Sequence, residues 1–205
     1  DLYEVTDAIR VRPTHSNIRF PGLGVGGYCL TKDPAFAPAG ARRLHGLEEL
    51  DFPFSQLAMK VNHEMPLHAA SRLNALLGGS SRKKFILVLG VSYRQDIGDT
   101  RYSPTETLVR TLENGGAMVT CYDPFVRYWE EMKRSLPADL PDPHGFDAIV
   151  IATPHQEFRT LDVLKWLGDA RPIILDTANV LTFNIRRECR KVGIQVETIG
   201  RGDGL

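Results

Sequence analysis

Apolar and polar positions follow two different periodicities in the two parts of the chain. From residue 1 to about residue 79, apolar residues recur at helical spacing, as Leu57, Val61, Met65, Leu73 and Leu76 do. From Phe85 onward, short β-rich runs alternate with helical stretches; the runs are FILVLG, MVTCYD, AIVIAT, PIILDT and VETIG. This alternation is typical of a parallel sheet with right-handed crossovers.

The two periodicities predict an α/β protein with two domains. A central helical region, residues 1–79, is followed by a Rossmann-like doubly wound parallel sheet, residues 80–205, and LLGGSSRKK forms the linker between them. Pro66 is expected to start or kink a helix. The opening DLYEVTDAIRV carries a helical apolar face without a capping residue, so we expect that helix to begin upstream of Asp1 and the chain to be a fragment.

One helix start is marked unusually clearly. Ser103, Pro104, Thr105 and Glu106 form a capping box with proline at the first helical position, and Asn114-Gly115-Gly116 ends the helix. The preceding loop, GVSYRQDIGDTR, follows the first strand. Ligands of open α/β sheets bind at this carboxyl edge, so we expect a binding site in the loop.

The loop does not carry a dinucleotide fingerprint. Ser92 and Gln95 stand where the second and third glycines of G-x-G-x-x-G would follow Gly90. Asp123, the acidic residue that ends the second strand, is weak support for a dinucleotide without those glycines.

Two cations in the same loop favour a phosphate instead. Arg94 and Arg101 can bind phosphate oxygens, and the capped helix points its N-terminus at the same region. The sequence therefore predicts a nucleotide or sugar-phosphate site. The alternative is that the two arginines pair with Asp96 and Asp99.

The amino-acid composition limits which partners and which cellular location are expected. The 25 basic and 25 acidic side chains cancel, and this balance argues against nucleic acid as a partner. No apolar run is long enough to predict a membrane span. Three widely spaced cysteines fit reduced thiols and a cytoplasmic location.

The segment FPGLGVGGYCLTKDP, residues 20–34, concentrates glycines just before Cys29. Glycine is favoured where the backbone takes a positive φ or another group approaches closely, so the thiol is expected to receive a ligand. Cys121 in a strand and Cys189 on a helix are assigned structural roles. HEMPLH, residues 63–68, lacks zincin spacing and contains Pro66, so we predict no metal site there.

Several motifs together resemble one enzyme family. PGLGVGGYCLTKDP, KVNHEMP, LGVSYRQDIGDTRYSP, CYDP and DAIVIATPHQEF resemble, in order and spacing, the second half of nucleotide-sugar 6-dehydrogenases, the UDP-glucose/GDP-mannose dehydrogenase family. The resemblance implies an NAD-binding domain that this chain lacks, a central region that pairs two copies into a homodimer, and a C-terminal domain that binds the UDP end of a UDP-sugar. These 205 residues alone are then expected to be inactive.

The resemblance also implies roles for individual residues. Cys29 matches the nucleophile that forms a thiohemiacetal and then a thioester during two hydride transfers to NAD, and Asp33 matches the aspartate that orients or activates water. The remaining implied residues contact the substrate: Gly24, Gly26, Gly27, Tyr28, Lys32, Tyr93, Arg94 and Arg101. Structural alternatives stay open for some of these positions. Lys32 and Asp33, which precedes Pro34, can simply form a solvated helix start. Tyr93 can close the core instead of stacking on uracil.

The chain departs from the family pattern at several positions. Tyr28 replaces a histidine or serine, Arg94 a lysine, and Ala178 an arginine that the family often carries. The family also supplies an arginine across the dimer, for which Arg12 and Arg19 are both candidates. His155 matches a family histidine to which we assign no chemistry.

The most detailed of these expectations concerns which UDP-sugar is the substrate. PG-x-GVGG followed by cysteine, together with NHEMP, resembles members that act on UDP-N-acetylhexosamines, so UDP-N-acetylmannosamine is the first candidate, UDP-glucose the second, and cell-surface polysaccharide synthesis the destination. Two other classes remain: a non-catalytic module that binds UDP-sugar or dimerises, and a flavodoxin-like or regulatory domain.

Overall fold

The computed structural model describes residues 1–202 and contains a five-stranded parallel sheet. Its strands stand in the order β2-β1-β5-β6-β7, and a separate antiparallel hairpin pairs β3 with β4. The strands are β1 (Phe85–Leu89), β2 (Met118–Tyr122), β3 (Tyr128–Trp129), β4 (Arg134–Ser135), β5 (Ala148–Ile151), β6 (Ile173–Asp176) and β7 (Val196–Thr198). The five β-rich runs of the sequence therefore form the sheet. The α/β prediction is confirmed.

Helices cover both faces of the sheet. The helices are α1 (Leu2–Arg10), α2 (Phe36–His45), α3 (Pro53–Leu76), α4 (Pro104–Asn114), α5 (Gln156–Thr160), α6 (Val163–Leu167) and α7 (Phe183–Lys191). Of these, α3 and α4 pack on one face of the sheet, and α5, α6 and α7 pack on the other. Successive residues of β1 alternate between two cores: Val88 packs with α3 and α4, whereas Leu87 packs with α5, α6 and α7. Because both faces are buried, the strands read as continuous apolar runs.

The long helix α3 contributes to the core of the sheet with its second half only. Ala69 and Leu73 are buried against the sheet and α4, whereas Leu57 and Val61 of the predicted stripe are exposed. Pro66 lies inside the continuous helix and does not start it, contrary to one form of the prediction. The domain boundary between residues 79 and 80 stays a prediction.

Helix α1 is capped, contrary to expectation. The Asp1 carboxylate accepts hydrogen bonds from Tyr3 N at 2.8 Å and Glu4 N at 3.3 Å, and Leu2 N donates to the carbonyl of Gly200 at 2.7 Å. The side of α1 that contacts the protein is also different from the predicted one, since Tyr3 and Thr6 are buried while its aliphatic residues are exposed.

Half of the predicted capping box forms. Ser103 Oγ accepts from Thr105 N at 3.3 Å, but the Glu106 carboxylate accepts from Arg110 Nε at 2.8 Å and does not reach back to the cap. The β3–β4 hairpin was missed, because two-residue strands leave no periodic signal; its Trp129 is fully buried. Among residues 1–202, no helix is both long and apolar enough to cross a bilayer.

The division of α3 into a buried and an exposed half predicts unequal costs of truncation. We expect Leu73→Ala to lower the free energy of unfolding by about 2–5 kcal/mol, because it opens a cavity in a closed core. Leu57→Ala, on the exposed half of the same helix, should change it by about 0.5 kcal/mol or less. Urea unfolding at a concentration where light scattering shows a monomer measures both. Equal losses would contradict the described packing.

Candidate functional site at the carboxyl edge of the sheet

The glycine-rich segment crosses the carboxyl edge of the sheet. We call residues 20–28 the glycine loop. Near its start, a Cβ placed on Gly22 would lie 3.6 Å from the Thr177 carbonyl oxygen beyond β6, and near its end Gly27 N donates to the Arg101 carbonyl at 3.2 Å, close to the start of α4. Leu23 is buried between these points. The loop therefore spans the edge at which open α/β sheets bind their ligands.

Two glycines of the loop are required by close approach. A Cβ on Gly26 would lie 2.6 Å from Tyr93 Cβ and 2.8 Å from the Tyr102 carbonyl oxygen. Gly27 has φ +89°, and a Cβ there would lie 2.9 Å from Tyr93 Cε2. Any larger residue would push the loop off its support, so these glycines serve packing between the two loops of the site.

Asn62 of α3 holds the middle of the glycine loop, a role that sequence reasoning missed. Its Oδ1 accepts from Val25 N at 2.7 Å and its Nδ2 donates to the Val25 carbonyl at 2.8 Å. Pro66, four residues later, has no N–H to bond the Asn62 carbonyl, and a Cβ on Gly24 would lie 3.3 Å from that oxygen. The sequence carries no local signal for this clamp, because Val25 lies 37 residues from Asn62.

The spacing of Cys29, Lys32 and Asp33 follows from one turn of backbone. The Cys29 carbonyl accepts from Lys32 N at 3.1 Å and from Asp33 N at 2.9 Å, so residues three and four positions along return to the same side. Thr31 Oγ1 donates to the Gly27 carbonyl at 2.7 Å and fixes the entry to the turn. The Cys29 residue is exposed. The turn thus presents a thiol, an ammonium and a carboxylate together.

Within this turn, Lys32 is directed at Asp33. Its Nζ lies 2.6 Å from Asp33 Oδ1, and it also lies 4.5 Å from the centre of the Tyr28 ring and 4.7 Å from that of Phe36. The hydrogen bond to Asp33 is the main reason that the pKa of Lys32 is raised, and the charge of a Cys29 thiolate adds to it. Lys32 is therefore paired with Asp33 by direct contact.

The two candidate arginines differ in their surroundings. We call residues 91–101 the arginine loop. Arg101 binds the Asp99 carboxylate with two nitrogens, Nε at 3.0 Å and the terminal Nη2 at 2.6 Å. This is the pairing with Asp99 that the sequence left open as the alternative to phosphate binding. Arg94 is exposed and makes no ion pair with any residue in 1–202. The Tyr93 ring packs on Gly27, so its predicted stacking on uracil stays a prediction.

The buried carboxylate of Asp123 holds the start of the arginine loop by hydrogen bonds. One carboxylate oxygen, Oδ2, accepts from Val91 N at 2.8 Å, from Ser92 N at 3.0 Å and from His155 Nε2 at 3.1 Å. Burial by itself raises the pKa of Asp123, but the bonds from His155, Phe125 N and Ser92 N outweigh it and the pKa lies below its usual value. Asp123 is completely buried, so it supports no ribose-binding role.

The first strand and its loop do not fit a dinucleotide. A Cβ on Gly90 would lie 2.4 Å from Thr153 Cβ, so this glycine permits the approach of the next strand and leaves no cradle for a pyrophosphate. Ser92 N, where a dinucleotide fingerprint would offer a free amide, is engaged by Asp123. The sequence prediction that this loop is not an NAD site stays a prediction.

Comparison with known proteins identifies the family. Residues 87–183 match the model of the UDP-glucose/GDP-mannose dehydrogenase family, UDP binding domain. UDP-N-acetyl-D-mannosamine dehydrogenase of Pyrococcus horikoshii is 34% identical over 97% of this chain, and UDP-glucose 6-dehydrogenase of Rhizobium meliloti is 31% identical over 89%. The chain belongs to the UDP-glucose/GDP-mannose dehydrogenase family.

Solved structures of related dehydrogenases superpose on this chain. The NDP-N-acetyl-D-galactosaminuronic acid dehydrogenase of Methanosarcina mazei superposes with a TM-score of 0.80 at 29% identity over 97% of this chain. The chain spans 44% of the P. horikoshii relative and 44% of the M. mazei chain, so it corresponds to less than half of each.

Ala178, a departure from the dehydrogenase family pattern, lies outside the Cys29 turn, and so do Arg12 and Arg19, the two candidates for an arginine supplied across a dimer. Ala178 N donates to the Asp176 carboxylate at 3.1 Å in the bend after β6, and burial is the main reason that the pKa of Asp176 is raised. Arg12 and Arg19 are both exposed on the segment between α1 and the glycine loop. Exposure leaves both available for the arginine expected across a dimer.

The Asn62 clamp predicts the order of the glycine loop. We expect Asn62→Ala to speed hydrogen exchange at Val25 N roughly tenfold, because that amide loses its acceptor and the loop opens locally. Gln56→Ala, on the same helix but bonded to Asp51, should leave Val25 unchanged. Exchange measured by NMR or mass spectrometry checks this. Equal protection of Val25 in both variants would show that Asn62 does not hold the loop.

Proposed function

We propose that this chain forms the substrate side of a nucleotide-sugar 6-dehydrogenase, which holds a UDP-sugar at the carboxyl edge and presents Cys29 to the sugar. One observation carries the proposal: the glycine loop brings the Cys29 turn against the arginine loop. Tyr28 lies between the two, with its ring centre 5.9 Å from that of Tyr102 and 5.7 Å from the Arg101 guanidinium carbon. This arrangement supports a site in which a thiol and the cations proposed to bind the diphosphate flank the same edge.

In the proposed chemistry, Cys29 holds the aldehyde that would otherwise escape. The thiolate attacks the aldehyde carbon, a carbon–sulfur bond forms, and the carbonyl oxygen takes a proton to give a thiohemiacetal. At the thioester stage, water attacks the carbonyl, the carbon–sulfur bond breaks, and the thiolate leaves with the carboxylate as product. Asp33 is the proposed base for that water, and Lys32, at 2.6 Å, fixes its orientation.

The oxidation that joins these two stages needs a hydride acceptor. NAD is the acceptor that the family resemblance implies, and the loop after β1 does not fit a dinucleotide. We therefore assign this chain the binding of substrate and the covalent and hydrolytic steps only. Mixed with NAD and a UDP-sugar, the chain is expected to produce no NADH.

An acetamido sugar is the proposed substrate. The relatives in P. horikoshii and Methanococcus maripaludis are named UDP-N-acetyl-D-mannosamine dehydrogenase, which supports UDP-N-acetylmannosamine as first candidate. The relative in Rhizobium meliloti keeps UDP-glucose as the second. Titration of the chain with both sugars compares them directly, and tighter binding of UDP-glucose would reverse the order.

We propose that two copies pair through the helices of residues 1–79. Large apolar side chains are exposed on these helices in the single chain: Leu2, Val5, Ile9, Phe36, Leu44, Phe54, Leu57 and Val61. A second copy packed against these helices would remove such apolar surface from water. Light scattering of the purified chain measures its mass, and a monomer at high concentration would count against this pairing.

Binding of UDP without NAD is the first test of the proposal. We expect calorimetric titration to show heat for UDP and none for NAD. Arg94→Gln should weaken UDP binding roughly tenfold to a hundredfold, because a charge-assisted bond to phosphate is lost. Arg82→Gln removes an exposed arginine beside the opposite, amino-terminal edge of the sheet and should leave affinity unchanged. A folded chain that ignores UDP would overturn the proposal.

Selective labelling tests the proposed nucleophile. We expect iodoacetamide to alkylate Cys29 in the folded chain and to reach Cys121 and Cys189 only after unfolding, because both are buried and burial raises the pKa of Cys121 to about 12. Bound UDP-sugar should slow labelling of Cys29. Peptide mass spectrometry locates the label. Labelling of Cys29 at the same rate with and without saturating UDP-sugar would favour a binding module whose thiol does not face the sugar.

A further inference from the structure

His155 is a buried polar side chain that the proposed chemistry does not use. It follows β5 at the carboxyl edge and is fully buried. Its ring lies between Phe125 and Phe158, with centre-to-centre distances of 5.2 Å and 5.5 Å. A residue so enclosed cannot contact a substrate directly, so any effect on the site must act through its neighbours.

Its hydrogen bonds define a single tautomer. Nδ1 lies 2.9 Å from Asp96 N, which can only donate, so Nδ1 is unprotonated. The ring proton therefore sits on Nε2 and is donated to Asp123 Oδ2 at 3.1 Å. Nδ1 accepts a hydrogen bond and Nε2 donates one, so the neutral ring satisfies both partners at once.

These bonds fix the arginine loop at two separated points. Asp123 holds its first residues through Val91 N and Ser92 N. Five residues after Val91, Asp96 adopts φ +58°, donates its N–H to His155, and accepts a bond from Gln156 N at 2.9 Å through Oδ1. His155 is the side chain that joins both points, because it bonds to Asp96 and Asp123 together.

The segment between the two points carries the free cation. Arg94 lies two residues after Ser92 and two before Asp96, so its backbone position is set from both sides. A left-handed backbone at a non-glycine residue such as Asp96 costs energy and persists only where its surroundings impose it. Release of Asp96 N would let this segment relax, and a relaxed loop has to be ordered again when a ligand binds.

We propose that His155 is a positioning residue which holds the arginine loop in the conformation that binds the diphosphate of the substrate. The proposal rests on the proposed function, since it takes that loop to be the diphosphate site. The acceptor nitrogen Nδ1 is the atom that matters, and the bond from Nε2 to Asp123 keeps Nδ1 free of its proton.

Two substitutions separate the two nitrogens. In His155→Asn, the side-chain oxygen stands near Nδ1 and can accept from Asp96 N, whereas in His155→Gln the amide nitrogen stands near Nε2 and can donate to Asp123. Both remove the same ring from the same cavity. A role in packing alone would therefore weaken UDP binding alike in the two variants, and a positioning role would not.

The experiment is calorimetric titration of the 205-residue chain with UDP, in the wild type and both variants. We expect His155→Asn to bind within about threefold of the wild type and His155→Gln to bind roughly tenfold or more weakly, with faster hydrogen exchange at Asp96 N only in the second. His63→Gln, an exposed histidine of α3, is the control. Equal UDP affinities for the two variants would overturn the proposal.

Two further results keep the inference separate from the proposed function. If the wild type itself fails to bind UDP, the diphosphate site is wrong, and the inference falls with it. If the wild type binds but NMR of the imidazole nitrogens finds the proton on Nδ1, only the inference falls, because Nδ1 then cannot accept from Asp96. That measurement uses the unaltered chain, so it holds even if a variant does not fold.

Discussion

The site depends on a backbone approach that a side chain would block. Gly26 of the glycine loop rests directly against Tyr93 and Tyr102 of the neighbouring segment, with no room for a Cβ. Because of this contact, the turn that carries Cys29 stands beside the loop that carries Arg94. Asn62 holds the same loop from the other side through the two polar groups of Val25. The distance between thiol and cations is thus set by backbone packing, which varies less than the reach of flexible side chains.

The parts of the fold that could be predicted were those with a local signal. Buried parallel strands leave continuous apolar runs, and Ser103-Pro104 marks a helix start by its own chemistry, so both could be found from sequence. Pro66 misled in one respect, because a proline is favoured at a helix start, whereas α3 begins at Pro53 and continues through Pro66. In the structure, Ala69 and Leu73 bury the following turns against the sheet and hold the helix through the proline.

The parts of the site that sequence reasoning missed depend on contacts between distant residues. Nothing near Asn62 in the sequence indicates that its side chain bonds Val25, 37 residues away. The same holds for Asp123, which a motif search assigns to a ribose because it ends the second strand. Its actual partners come from the first strand's loop and from His155, and only the assembled sheet brings them together. A motif identifies the type of residue that a site requires, whereas the topology of the fold determines which groups become the hydrogen-bond partners of that residue.

The charges of the site are largely paired before any ligand arrives. Lys32 binds Asp33 and Arg101 binds Asp99, so a diphosphate that engages either cation has to compete with a carboxylate already in contact. Exposed pairs of this kind are individually weak, which makes such an exchange feasible. Arg94 has no competing carboxylate among residues 1–202 and lies on the segment held between Ser92 and Asp96. Phosphate would therefore meet Arg94 first, and the paired cations would adjust afterwards. In this order of events the loop needs to be rigid at Arg94 and free to exchange partners at Arg101.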